Sequence, residues 1–406
     1  MTDMNKASKA RTALVIGGGI AGPVTAMALR KAGIEATVYE AYPSPTEGVG
    51  GTLTLAPNGQ GALELLGLKQ EVTQIGLPIV GTALSFGSKN ITIPQLDGVA
   101  PPLQVDRNDL HRVLHQAATA QGIRIEHRKR LIGAEQDRTG VTAHFADGST
   151  ARADLLIGAD GVHSTVRTLI DPDAPGPQYT GVLGFEASVD HPVPGPAGIT
   201  HFAFGRRAYY LYWREADGRT RIGFNLPHDT PIRLSQARTI PAAQWLQVLR
   251  DTYGQDNPGG ALVRAIDPEQ LQVNGSVWIM PSVPRWHSGR MVLAGDAVHA
   301  PSNSSGQGAS LAAESAIELA RALRDLPLEQ ALPAYEQARR PRVEHIAAQA
   351  RKVNRVKAPG PVAAAVMPVM MRVLVKVAMN PERNFGPTWR HHIDWDQPVA
   401  PTAASR

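Results

Sequence analysis

Thr12-Ala13-Leu14-Val15-Ile16 runs directly into Gly17-Gly18-Gly19-Ile20-Ala21-Gly22. Five apolar residues without alternation read as a strand buried on both faces. Apolar spacing at Val24, Met27 and Ala28 then marks a helix to Lys31, which Gly33 ends. Ala36-Thr37-Val38-Tyr39 is a second strand, closed by Glu40. Strand, glycine turn, helix, strand and acid in this order make a dinucleotide-binding fingerprint. Gly17 permits the tight turn, Gly19 lets the backbone approach a pyrophosphate, and Gly22 lets helix and strand pack closely. The helix N-terminus, over Ile20 and Ala21, offers free N–H groups and partial positive charge to phosphates. Glu40 is placed to accept hydrogen bonds from ribose hydroxyls. The fingerprint alone does not separate FAD from NAD.

Working outward, residues 50–60 read as a loop or short strand before a helix at 60–67. Weak alternation over 79–95 suggests strands of a second domain. Arg107 opens a helix over 108–121, and strands follow at 123–126 and 141–145, with a turn at Asp147-Gly148. Asp154-Leu-Leu-Ile-Gly158 is another buried strand, followed by Asp160-Gly161 with Ser164 and Arg167. From 179 to 226 the chain turns to aromatic strands punctuated by Pro and Gly, the texture of a mostly antiparallel β domain. Val277–Met280 begins the return. Met291–Asp296 is a final buried strand, and a helix runs from Gly306 to about Leu323.

Composition narrows the function. The 406 residues suffice for two closely packed domains. A net charge of +5 invites a nucleic-acid reading, but aromatics are only 5% and the basic residues are scattered. The cluster Arg124–Arg130 reads as a solvated strand edge, so no nucleic-acid partner is expected. There are no cysteines. Disulfides, thiolate catalysis and Cys-ligated metals are therefore excluded. The histidines have no metal-ligand spacing. The polar Met1–Arg11 and the short run Ala13–Ile16 do not make a signal peptide, and no segment reaches the roughly 18 apolar residues of a span. A cytoplasmic location without membrane association is expected.

With these motifs in hand, the chain resembles the FAD-dependent aromatic hydroxylases, the single-component relatives of para-hydroxybenzoate hydroxylase and of the tetracycline-inactivating monooxygenases. The resemblance rests on the fingerprint, on Asp160-Gly161 with Ser164 and Arg167, and on Gly295-Asp296-Ala297-Val298-His299 followed by Gly306-Gln307-Gly308. It implies an α/β fold: a Rossmann-like FAD-binding domain with an inserted mostly antiparallel β substrate domain and a C-terminal helical segment. The expected parts are residues 1–78, 101–178 and 277–345 for the FAD domain, 79–100 and 179–276 for the substrate domain, and 346–406 for C-terminal helices and tail.

It further implies non-covalent FAD, with Asp296 on the ribityl chain and the helix beginning near Gly306 aimed at the flavin pyrimidine edge. Arg107 touches the FAD in relatives; Asp160 and Arg167 are expected near the pyrophosphate and the nicotinamide passage. NADPH or NADH serves as a transient reductant, so no second glycine fingerprint is expected. O2 then gives a flavin hydroperoxide that oxygenates an aromatic or polycyclic small molecule, a natural product or antibiotic being the class to screen. The cofactor carries this chemistry, so no catalytic acid–base side chain is assigned and His299 is read as structural. The alternative is a flavin-binding protein without turnover that stabilises a reactive intermediate. Oligomeric state is left open. Two-domain disulfide reductases share the N-terminal pattern but need a redox Cys pair; flavin halogenases need a Trp-rich motif that Val277-Trp278-Ile279-Met280-Pro281 does not supply.

The chain departs from this family in three places. Ser302-Asn303 stand where a Pro-Pro pair is usual, Ser310 replaces an Asn, and Glu314-Ser315 stand where an Asp is usual. The expected pocket lies between flavin and β domain. Strand alternation puts Gly184, Glu186 and Ser188 on one face, and Glu186, Arg206, Tyr210, Tyr212 and Phe224 are the substrate-side candidates. The apolar segment Ala363–Met379 is expected to pack as a helix against the FAD domain rather than lie on a membrane.

Overall fold

The computed structural model describes residues 9–43, 51–356, 375 and 380–401. Strand β1 (Thr12–Ile16), helix α1 (Ala21–Lys31) and β2 (Glu35–Tyr39) form the first right-handed unit. β3 (Thr52–Leu55) leads into α2 (Pro57–Glu64), which starts three residues before the expected helix because Pro57 suits the first helical turn. Then come α3 (Lys69–Ile75), β4 (Gly76–Pro78), β5 (Gly81–Phe86), β6 (Lys89–Ile93), β7 (Leu103–Asp106) and α4 (Arg107–Ala120). β8 (Arg124–Glu126), β9 (Leu131–Gln136), β10 (Val141–Phe145), β11 (Thr150–Ala153) and β12 (Leu155–Gly158) precede α5 (Thr165–Ile170).

The second layer holds β13 (Gln178–Val189), β14 (Ile199–Phe204), β15 (Tyr209–Arg214) and β16 (Thr220–Pro227). Helices α6 (Leu234–Thr239), α7 (Ala242–Tyr253) and α8 (Gly259–Arg264) follow, then β17 (Gln272–Ile279). The chain returns through β18 (His287–Ser288) and β19 (Met291–Leu293) to α9 (Gly308–Asp325) and α10 (Leu328–Val356).

Six strands in the order β18-β19-β12-β1-β2-β8 form a sheet that is parallel except for β18. Both faces are covered, which is why Leu155, Leu156 and Ile157 are buried without alternation. α1 lays Val24, Met27, Ala28 and Leu29 into the same core, and α9 packs beside it. Each fully buried side chain of this size stabilises by about 1.5–3 kcal/mol.

The larger sheet, β17-β13-β16-β15-β14-β5-β6, is antiparallel except for the β14–β5 pair. β17 belongs to it along its whole length, so Val277 and Trp278 are sheet residues rather than the start of the return. The helices α6, α7 and α8 follow the aromatic strands within the expected β domain and cover one face of this sheet, with Trp245, Leu246, Leu249 and Tyr253 in its core. A third sheet, β3-β7-β4, stands between the two layers. α10 passes without a break through the expected boundary at 345–346. Apart from Val375, which is buried beside Leu84 and Ile91, the segment Ala363–Met379 lies outside the described residues. Among the described residues, no helix is long and apolar enough to cross a membrane and no three His, Asp or Glu side chains gather as a metal site.

Candidate active site

A cavity of about 1470 Å³ lies between the parallel sheet and the seven-stranded sheet. Of the twelve residues read from sequence as cofactor-binding, Gly17, Gly19, Ile20, Ala21, Glu40, Arg107, Asp160, Asp296, Gly306, Gln307 and Gly308 all line it. Gly22 does not, and its role is packing: a Cβ there would stand 1.8 Å from the Gly17 carbonyl oxygen. Gly17 has φ +105°, and a Cβ on it would meet the Ala159 carbonyl oxygen at 2.4 Å. Both positions admit only glycine. Nothing lies within 4 Å of a Cβ on Gly19, so that backbone is bare to the cavity. α1 begins here with no acidic residue in its first turn and no capping side chain, so its leading N–H groups have no side-chain partner.

Glu40 closes the turn from the other side. Gly18 N–H donates to its Oε2 at 2.6 Å and Tyr42 N–H to its Oε1 at 2.8 Å, leaving each oxygen a further lone pair. The stacked rings of His111 and His115, 3.9 Å apart, each bring Nε2 to the Gly18 carbonyl, at 3.0 and 2.6 Å. A carbonyl only accepts, so each of these nitrogens carries the proton. Burial lowers both pKa values, that of His111 to about 4, and keeps the pair neutral. No spacing rule in the sequence pointed to this brace, because it depends on α4 packing against α1.

The turn after β19 carries Asp296. Burial raises the pKa of its carboxyl, and the Arg107 guanidinium partly offsets this. No donor among the described residues bonds it, so it faces the cavity as an available acceptor. Arg107 is the first residue of α4, placed by the Asp106 cap, whose Oδ1 accepts from Asn108 N–H at 2.8 Å. Asp160 is largely engaged within the protein: it accepts from Ser164 Oγ, Thr165 N–H and Val166 N–H and so holds the start of α5. Arg167, expected near the nicotinamide passage, is instead buried, donating to the carbonyls of Ala297 and Val162 at 2.9 and 3.0 Å. It ties the two motifs together. His299 donates to or accepts from Ser315 Oγ at 2.8 Å and is fully inside the protein, as a structural histidine should be.

The family departures have local explanations. Where prolines would stiffen the loop, hydrogen bonds do so: Ser305 N–H and Oγ both bond the Ser302 carbonyl, and Gln307 N–H donates to Ser305 Oγ at 3.1 Å. Ser310 accepts from Ala56 N–H at 3.1 Å and sits where a Cβ on Gly59 would be 2.4 Å from its Oγ, so a small residue is needed at this helix crossing. Glu314 is wholly buried. Burial would raise its pKa, but the guanidiniums of Arg339 and Arg342, at 2.7 and 2.8 Å, hold it well below the usual range. Asn58 Nδ2 links it to Gln307 at the start of α9.

The substrate-side candidates fare differently. Tyr210, Tyr212 and Phe224 lie on the far face of the large sheet, packed with Tyr253 and the covering helices. Their neighbours of opposite parity, Tyr209, Leu211 and Asn225, face the cavity. Both faces of these strands are aromatic, so alternation alone did not choose between them. Arg206 is exposed, bonding Gln255 and Asp256 at the sheet end. Glu186 is buried but outside the cavity: it accepts from Thr52 N–H and Oγ1 and from Arg221, joining the large sheet to β3. Sequence reasoning also missed Phe202, Phe204 and Trp278, and Phe385 and Trp389 from the short helices near the C-terminus, which complete the wall.

Comparison with known proteins agrees with this geometry. The FAD binding domain family matches residues 10–350. An FAD-dependent urate hydroxylase of Klebsiella pneumoniae subsp. pneumoniae is 31% identical over 353 residues, covering 84% of this chain and 88% of the relative. The 3-amino-4-hydroxybenzoate 2-monooxygenase of Streptomyces cremeus is 29% identical over 372 residues, covering 84% and 86%. Among solved structures, Klebsiella pneumoniae HpxO complexed with FAD and uric acid superposes with a TM-score of 0.77 at 26% identity, covering 93% of this chain and 96% of that one. The tetracycline destructase Tet(55) shares the fold, with a TM-score of 0.69 at 20% identity over 97% and 100% of the two chains. The bare glycine backbone, the two uncapped helix starts and the unbonded Asp296 carboxyl fit the FAD named for the urate hydroxylase and for HpxO. The chain belongs to the FAD binding domain family, within its FAD-dependent aromatic monooxygenases, and is an FAD-dependent oxidoreductase.

Proposed function

We propose that this enzyme uses NAD(P)H and O2 to insert one oxygen atom into an aromatic or polycyclic small molecule. One observation carries the reading: a single cavity joins the fingerprint, the Asp296 turn and the start of α9 to an aromatic wall of the large sheet. FAD, held by the residues named below, would supply the redox chemistry between NAD(P)H and O2 that the family resemblance implies.

The chain's own residues supply place and charge. The α1 start, with Gly17, Gly19, Ile20 and Ala21, holds the pyrophosphate, and Gly22 keeps α1 close enough to do so. Glu40 accepts from the adenosine ribose and Asp296 from the ribityl hydroxyls. Gly306, Gln307 and Gly308 present the α9 N-terminus, whose dipole favours negative charge on the flavin. Arg107 and Asp160 flank the cofactor. The apolar wall excludes water from the reacting oxygen. The cytoplasm is the proposed compartment.

The test is a steady-state assay on the holoenzyme with a panel of aromatic compounds. NAD(P)H oxidation and O2 uptake should rise together when a substrate is present. FAD-loaded protein that shows neither with any compound would favour a flavin-binding protein without turnover.

A further inference from the structure

One polar group stands out in the apolar wall. Gln104, at the centre of β7, lines the cavity and is 6% exposed. Its Nε2 donates to Thr200 Oγ1 at 3.3 Å, but its Oε1 is buried with no hydrogen-bond partner among the described residues. A buried amide oxygen left unpaired costs about 1–3 kcal/mol, so its position calls for a donor from a ligand. Thr200, itself buried, is paired in register with Thr82, and both line the same cavity. On the strands beside Thr200 the wall is hydrocarbon and ring: Leu84, Phe202, Phe204, Tyr209 and Leu211.

No strand of the large sheet puts a charged side chain into the cavity. The cavity's charged residues lie elsewhere. Lys129 and Arg130 stand on the nucleotide side, and Lys129 is paired with Asp147 at 2.7 Å. Asp97 is exposed at the rim. Arg107 is electrostatically engaged with Asp296. His163 packs edge-on to Trp278, and burial lowers its pKa, keeping the ring neutral. A carboxylate placed against this wall would be desolvated without a counter-charge. A flat, uncharged ring system would stack on Phe202, Phe204 and Tyr209.

The geometry points to a substrate that is an uncharged fused-ring aromatic bearing a hydroxyl or ring N–H, with Gln104 as the specificity-determining residue that accepts its hydrogen bond. This rests on the proposed monooxygenase reading and narrows it, since ring compounds that carry a carboxylate are excluded.

The experiment uses FAD-loaded protein at pH 7 and follows the flavin absorption spectrum on titration with 2-naphthol, naphthalene and 3-hydroxy-2-naphthoate. 2-Naphthol should bind at least tenfold more tightly than either of the others. In Gln104→Leu, the 2-naphthol dissociation constant should rise about tenfold while that of naphthalene changes less than twofold. Equal or tighter binding of the naphthoate, loss of naphthalene and naphthol binding in parallel, or no perturbation by any of the three would overturn the proposal. The ligand ranking on the unaltered protein stands whether or not the variant folds. Binding is read without turnover, so a correct ranking with no substrate-stimulated O2 uptake would sink the monooxygenase reading and leave the pocket assignment standing.

Discussion

At the scale of the residue, Asp296 and Gln104 pose the same physical question. Each offers a buried or half-buried oxygen that the protein does not bond. For Asp296 the proposed partner is the cofactor. Asp296→Ala should weaken FAD binding by about 1.5–3 kcal/mol, the range for a hydrogen bond to a charged group. Equilibrium dialysis of the variant would show this, and unchanged FAD occupancy at micromolar protein would remove Asp296 from the site. Glu40 carries a double duty, because it also receives the Gly18 and Tyr42 N–H groups. Glu40→Gln keeps the side chain's shape but turns one acceptor into a donor. It should therefore lower FAD affinity and soften the loop, seen as faster amide exchange at Gly18 and Tyr42. Asp296 could be picked out in the sequence only through the family resemblance of its Gly-Asp motif. Gln104 could not, since one amide in Leu103-Gln-Val-Asp106 forms no pattern.

At the scale of the element, the fingerprint depends on α1 crossing β1 at glycine distance. A Cβ on Gly22 would stand 1.8 Å from Gly17 O, and both atoms belong to backbone that cannot yield. Gly22→Ala should give colourless or insoluble protein. Gly61→Ala is the matched control, because nothing lies within 4 Å of its Cβ in the middle of α2. It should raise stability by about 0.5–1 kcal/mol in a denaturant titration and leave the flavin spectrum unchanged. A soluble, fully flavinated Gly22→Ala would contradict the packing role. Helix α1 and the start of α9 could be read from sequence because glycines and buried runs there answer to backbone constraints. The facing of β14, β15 and β16 could not. Those strands bury aromatics on both sides, one side under α7 and α8, helices that were not foreseen within the expected β substrate domain over 179–276.

At the scale of the whole molecule, buried histidines set the response to acid. His299 is held down to about 3, first by burial and then by the Arg339 guanidinium; burial also lowers His391, to about 4. In the unfolded chain these groups titrate near 6.5, so below that pH the unfolded state binds more protons. Stability is therefore full above pH 6.5 and falls as pH drops toward the folded values. His299 alone contributes about 1.4 kcal/mol per pH unit within that window. Thermal melts from pH 7.5 to 4.5 should show a steep fall, and His299→Gln should be less stable at pH 7.5 yet flatter with pH. An equal slope in both proteins would mean that His299 titrates normally.

The two-layer arrangement, with a cofactor cleft between a parallel sheet and an antiparallel one, was legible because each motif sits at the end of a buried strand. The path of the substrate wall was not, because it is assembled from six strands of the large sheet and two short helices far apart in sequence. On the proposed reading, oxygen would be inserted into a substrate held against that wall. The most direct test supplies 18O2 to the FAD enzyme with NAD(P)H and the neutral aromatic compound that most stimulates NAD(P)H oxidation, then weighs the product by mass spectrometry. One 18O atom per product molecule is expected, with one NAD(P)H consumed for each. Unlabelled product, or hydrogen peroxide in place of product with every compound in the panel, would contradict a monooxygenase.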